Sequence, residues 1–150
     1  MPQYLSKEES IQLAKENYIG RLGFISGQSP FIVPITYYYD DEENSIIGFT
    51  TEGHKIDSMR ENGSVCLLIE EINSLKRWKS VLIHGTFEEL QGIDSKYFLN
   101  RFTKGVKNIL KAETKKAVTF ISDFSNKKYS RNNAIVYRIK IWDVIGRFME

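Results

Sequence analysis

Apolar and polar residues alternate over much of this chain, and in a few places the alternation gives way to helical spacing. Ser6-Lys-Glu-Glu9 is a capping-box pattern, in which a hydroxyl and a carboxylate satisfy the free N–H groups of a helix start. Ile11, Leu13, Ala14 and Tyr18 follow at the spacing of one helix face, which predicts a helix over 7–17, broken at Gly20. Residues 21–26 and 31–39 then read as two strands around a Gly27–Pro30 turn. An acidic turn at 40–44 leads to a third strand over 46–50, which completes a hairpin. A helix is predicted over 55–62, and strands over 65–72 and 79–90. Asp94 is placed to cap a helix over 95–102, Thr103-Lys-Gly105 reads as a break, and a further helix is predicted over 107–123. After a polar loop at 125–133, residues 134–142 form the last strand, with 144–148 extending it after a turn at Asp143. Ile135, Tyr137, Ile139 and Ile141 give that strand one strongly apolar face.

Six strands linked mostly by short turns, with three or four helices, predict a mainly β fold: an antiparallel β-barrel with helices packed outside it. A length of 150 residues predicts a single domain with a core that needs no covalent staples. The formal net charge of +2 gives no pull toward nucleic acid or membrane, and neither is expected as a partner. No apolar run approaches the ~20 residues that span a bilayer. Met1-Pro-Gln-Tyr lacks the look of a signal peptide, so the expected location is the cytoplasm. The single cysteine, Cys66, lies in an apolar run and is expected to be a buried, inert thiol.

The chemistry concentrates in residues 45–65. There a strand ends in Thr50 and Thr51, a glycine turn carries His54 and Lys55, and a short helix begins. Hydroxyls, a cation and the N–H groups of a helix start are the parts of a phosphate pocket. Pro34 interrupts the ladder of the second strand, which places it at an edge, at a bulge or beside a ligand. No triad and no metal cluster stands out, so no catalytic residue and no metal ligand is assigned.

Four stretches carry a family likeness: Gly20-Arg-Leu-Gly-Phe, Pro30-Phe-Ile-Val-Pro-Ile-Thr-Tyr, Gly53-His-Lys-Ile-Asp-Ser-Met-Arg, and Trp78-Lys-Ser-Val-Leu-Ile-His-Gly-Thr. In this order the chain resembles the pyridoxamine 5′-phosphate oxidase-like superfamily of FMN-binding split barrels, nearest the branch of the 5-nitroimidazole reductases. The resemblance implies a six-stranded antiparallel split barrel and a homodimer with FMN at the subunit interface. It implies that the ring lies against Val33, Pro34, Ile35 and Thr36, and that the phosphate lies near Thr50, Thr51, His54 and Lys55. Trp78 and Ser80 are implied as further contacts. The implied activity is an FMN-dependent oxidoreductase that reduces a small acceptor, with nitroaromatics among the candidates. The alternative is a flavin- or haem-binding protein without turnover.

Two departures narrow this. The nitroimidazole reductases place a histidine at the end of the third strand, where this chain has Thr50, with His54 four residues on. True pyridoxamine phosphate oxidases carry extra basic residues near the C-terminus, where this chain has only Arg147. Plainer roles stand beside the flavin roles. Lys55 can be an ordinary exposed lysine, His54 a polar turn residue, Trp78 a core or dimer contact, and His84 a structural or interfacial residue. Arg21 can pair with the acidic turn or face the ligand. Lys107, Lys111 and Lys115 recur at four-residue steps, which reads as a solvated basic face or as a patch for an anionic substrate or polymer.

Overall fold

The computed structural model describes residues 1–111 and 134–150. Its elements are β1 (Gln3–Tyr4), α1 (Lys7–Glu16), β2 (Ile19–Ser26), β3 (Ser29–Asp40), β4 (Ser45–Thr51), α2 (His54–Glu61), β5 (Ser64–Ser74), β6 (Arg77–Glu89), α3 (Gly92–Leu110) and β7 (Ala134–Met149). The strands run β7-β4-β3-β2-β5-β6, and pairing of β6 with β7 closes the ring. Every pairing is antiparallel. The predicted antiparallel barrel is therefore the observed one. Two-residue β1, too short to leave an alternation pattern, adds to the edge of β7.

The ring is unevenly stitched. β6 pairs with β5 and β7 along most of its length, whereas β2 meets β5 only over Arg21–Gly23 and β3 meets β4 only over Tyr37–Asp40. These two short seams are where the barrel splits. Inside it, Leu22, Ile46, Leu67, Ile69, Val81, Ile83 and Ile139 are fully buried. Burial stabilises each such side chain by roughly 1.5–3 kcal/mol relative to exposure. α1 adds Leu13 and Ala14 to this core and α2 adds Ile56 and Met59. The Tyr37 hydroxyl donates to the Ala14 carbonyl at 2.8 Å and ties α1 to β3. A second core lies outside the ring, where Phe98, Leu99, Phe102, Val106 and Leu110 of α3 cover Ile47, Phe49 and Val136.

Three boundaries differ from the sequence expectation, the first being the start of α3: Gln91 is its N-cap, and Asp94 lies inside the first turn instead of capping it. The helix does not break at Thr103-Lys-Gly105; α3 runs through it. Gly105 is there for packing, since a Cβ at that position would collide with the Tyr38 ring. The strand does not turn at Asp143 either. β7 continues, with a bulge: His84 faces Asp143 and Gly85 faces Ile141, which leaves Trp142 without a counterpart in the register. The helix expected beyond 111, the loop at 125–133 and Lys115 fall outside the described residues.

Candidate functional site

β3 presents an open edge. The Tyr37 amide donates to the Tyr18 carbonyl at 2.8 Å. Antiparallel pairs alternate between bonded and non-bonded, so this bond sets the phase along the regular β2–β3 register. Ile35 and Val33 turn their ladder groups toward β2, while Thr36 and Pro34 turn theirs away. On that away side β4 joins only from Tyr37 onward. Pro34 therefore forfeits no ladder bond, which explains how a proline sits within a twelve-residue strand. Ile35 is buried in the core and Val33 packs against it, whereas Pro34 is exposed and Thr36 half-buried on the outer face. The four residues thus divide into an inward pair and an open-edge pair.

β4 ends at Thr50 and Thr51, both half-buried. Among the described residues the Thr50 hydroxyl makes only a long 3.5 Å contact, to the Thr51 carbonyl. Glu52 and Gly53 link the strand to α2. Gly53 is the N-cap, and no side chain caps the helix. The first intrahelical bond is from the Asp57 amide to the Gly53 carbonyl, so the amides of His54, Lys55 and Ile56 have no partner within the helix. Gly53 is extended, and a Cβ there would meet nothing within 4 Å. Lys55, in the first turn, is half-buried. Burial holds its ammonium below the ordinary lysine range. Among the described residues it has no carboxylate within salt-bridge distance.

His54 has a defined place. Its Nε2 lies 2.9 Å from the Ser26 hydroxyl, and its ring meets Phe31 edge-on at 5.2 Å and Phe24 at 6.0 Å. It pins the start of α2 to the β2–β3 hairpin. Trp78 and Ser80 lie elsewhere, near the β5–β6 hairpin, opposite Ile72 and Glu70. Ile72 is six residues along β5 from the Cys66 that faces Gly23, or about 20 Å at strand rise. One chain brings Thr50, Thr51, His54 and Lys55 to one end of the barrel and leaves Trp78 and Ser80 at the other. Next to Trp78 a cleft of about 260 Å³ is lined by Glu71, Asn73, Phe148 and Met149, among others.

Several residues take partners that the sequence left open. Arg21 pairs with Glu70 at 2.9 Å and not with the acidic turn. That turn binds Lys15 through Asp41, and Arg101 through Asp40 and Glu42. Cys66 is half-buried, not buried, because it lies on the outer face of β5 opposite His84. His84 stacks on Trp142 at 5.3 Å. Lys107 and Lys111 are exposed. Sequence reasoning missed the cluster around Arg60, whose guanidinium bonds Glu52 and Glu89. Arg60 lies on α2, Glu89 on β6 and Glu52 in the link between β4 and α2, and no local spacing rule joins them.

Solved structures share this fold. A FAD-binding protein from Mesorhizobium loti superposes with a TM-score of 0.75 at 26% identity, covering 100% of this chain and 99% of that one. A FAD and heme binding protein from Mycobacterium smegmatis gives 0.73 at 14% identity over 99% of this chain and 73% of its own. A putative 5-nitroimidazole antibiotic resistance protein from Bacteroides thetaiotaomicron gives 0.67 at 15% identity, covering 99% and 87%. Among curated proteins, an uncharacterized protein of Rhizobium meliloti is 38% identical over 86 residues, and the match spans 57% of this chain and 56% of that relative's length. No helix among the described residues is long and apolar enough to cross a membrane. The sequence model described as pyridoxamine 5′-phosphate oxidase matches residues 6–148, nearly the whole chain, and the protein belongs to that family.

Proposed function

We propose that this protein is an FMN-dependent oxidoreductase that works as a homodimer and reduces a small acceptor. One observation carries the reading: Lys55, a half-buried cation without a carboxylate partner among the described residues, stands at a helix start whose N-cap is a glycine. A lysine there opposes the helix dipole unless an anion joins it. A flavin phosphate is such an anion. The amides of His54, Lys55 and Ile56, with the hydroxyls of Thr50 and Thr51, are the donors on hand for its oxygens. The open edge of β3 at Pro34 and Thr36 is a surface on which a flat ring can lie, with unpaired backbone groups for its polar edge. The residues present fit a flavin mononucleotide. When bound, flavin supplies the hydride chemistry, and the protein's part is binding and orientation.

A second copy of the chain is proposed because the outer barrel face is apolar where it should meet water. Leu68, Leu82 and Ile145 form one apolar row across three strands, beside Arg21 on β2, and Ile19, Ile72 and Ile145 are exposed. Pro34, Thr36, Trp78 and Ser80 lie on this same face. A symmetric pairing would carry Trp78 and Ser80 of one copy toward the β3 edge of the other. The family match and the relatives named for FAD binding support a flavin without fixing its form.

The test is a flavin titration followed by anaerobic addition of reduced nicotinamide or reduced deazaflavin. Tight FMN binding, rapid bleaching of the flavin and reoxidation by a nitroaromatic or another small acceptor are expected. Bound flavin that neither donor reduces would favour the alternative, a binding protein without turnover. Sedimentation as a particle of 17.4 kDa would remove the dimer.

A further inference from the structure

We infer that Arg60 is a positioning residue for the anion site: it holds the Glu52 carboxylate away from the start of α2. This rests on the proposal that a flavin phosphate binds there. Glu52 immediately precedes the N-cap, in the two-residue link between β4 and α2. A loose carboxylate at that point would take the free amides itself or pair with Lys55, and would repel a dianion. Instead both of its oxygens accept from Arg60, from Nη1 and Nη2 at 2.9 Å each. Arg60 lies six residues after His54, or about 9 Å down the helix axis, so the bond draws the charge away from the site.

The guanidinium is itself anchored. Its Nε donates to Glu89 Oε1 at 2.7 Å, its Nη2 donates to Glu89 Oε2 at 3.2 Å, and Asp57 lies 3.5 Å from Nη1. Glu89 is the last residue of β6, part of the most extensively paired region of the barrel. The chain of contacts therefore runs from the barrel wall through Arg60 to the loop before α2. The bonds to Glu89 and Glu52 raise the Arg60 pKa, and the bond to Arg60 lowers that of Glu52, so both stay charged. One cation faces three carboxylates here, and four of its five N–H donors are already bonded to Glu52 and Glu89, so its charge and most of its donors are committed to the protein's own acids. Lys55 is then the cation for the ligand and Arg60 the cation for the protein's own acid.

The experiment compares FMN with riboflavin, which has the ring and no phosphate, in wild type, Arg60→Gln, Glu52→Gln and the double variant. Arg60→Gln is expected to weaken FMN binding by about tenfold and to leave riboflavin within about twofold, since one freed charge opposes only the phosphate. Glu52→Gln alone should bind FMN as well as wild type or better, and adding it to Arg60→Gln should restore FMN binding. Equal FMN affinity in wild type and Arg60→Gln overturns the inference, as does a double variant no better than Arg60→Gln. A parallel loss of riboflavin also overturns it, because it marks a general loosening. Wild type that binds FMN no better than riboflavin removes the phosphate site itself, so the two failures are told apart.

Discussion

Two helix starts in this chain meet the same physical demand in opposite ways. At α1 the Ser6 hydroxyl accepts from the Glu9 amide at 3.1 Å and the Glu9 carboxylate accepts from the Ser6 amide at 3.0 Å. The box is complete, and two acids, Glu8 and Glu9, complement the dipole. At α2 the cap is a glycine, the first-turn lysine is half-buried where Lys7 of α1 is exposed, and both the first-turn acid Asp57 and the acid before the helix, Glu52, pair with Arg60. The first start is closed by its own sequence. The second leaves its first-turn amides without a partner among the described residues and half-buries a lysine beside them, which costs stability in isolation. Local choices that work against the helix are expected where a site needs them.

The largest way to break this contrast is Lys55→Ala. FMN affinity is expected to fall by about 10- to 100-fold, the worth of a charge-assisted contact. Riboflavin affinity should hold, and the apo melting temperature should be no lower, since a desolvated charge has been removed. Equal loss of both flavins by fluorescence titration would count against a phosphate role. The pH dependence has a definite sign. The folded pKa of Lys55 is depressed by burial, so the apo protein binds fewer protons than the unfolded chain. Its stability rises with pH between the depressed value and the ordinary lysine value. FMN affinity should run the other way and weaken as pH climbs through the depressed value, while riboflavin affinity stays flat. A flat FMN profile from neutral to alkaline pH would separate Lys55 from the phosphate.

What the sequence made legible follows the same divide. Strand alternation located six of the seven strands, because a barrel wall has one buried side and period-two patterning records it. The Ser6–Glu9 box was readable because both partners lie within one turn. Lys55 and the glycine turn were readable for the same reason. Pro34 was ambiguous, since whether it sits at an edge depends on where β4 stops pairing, a fact of tertiary register. Gly105 looked like a helix breaker because Tyr38, the neighbour that requires it, is far away in sequence. Arg60, Glu52 and Glu89 left no sign, since charges on separate elements carry no period. The same holds for Arg21, whose partner Glu70 lies on the neighbouring strand. Trp78 and Ser80 were singled out by family likeness, and a single chain does not bring them to Lys55.

A smaller effect is expected at the closed start. Ser6→Ala removes the hydroxyl that accepts from the Glu9 amide and should cost about 1 kcal/mol of stability. In a chain of 150 residues that is a fall of ~2–4 °C in Tm. FMN and riboflavin affinities should not move, because α1 meets the barrel through Leu13, Ala14, the Tyr37 hydroxyl and Asp41, none of them a residue of the proposed site. A change in FMN affinity measured well below the melting transition would mean that the two helix starts are coupled.

The smallest and sharpest effect comes from making the open start resemble the closed one. Gly53→Ser places a hydroxyl where α2 has no cap. The backbone at Gly53 is extended, at φ 165° and ψ −177°, and a new Cβ has open space around it, so any residue fits without strain. A serine cap in place of glycine is worth only a few tenths of a kcal/mol, and the apo protein should be more stable by about that amount. The new hydroxyl accepts from the same first-turn amides that a phosphate would use. FMN affinity should therefore fall by about two- to fivefold as stability rises, with riboflavin unchanged. Gains in both stability and FMN affinity would show that the amides of α2 were never reserved for a ligand. The absent cap would then be a defect of the helix and not a feature of a site.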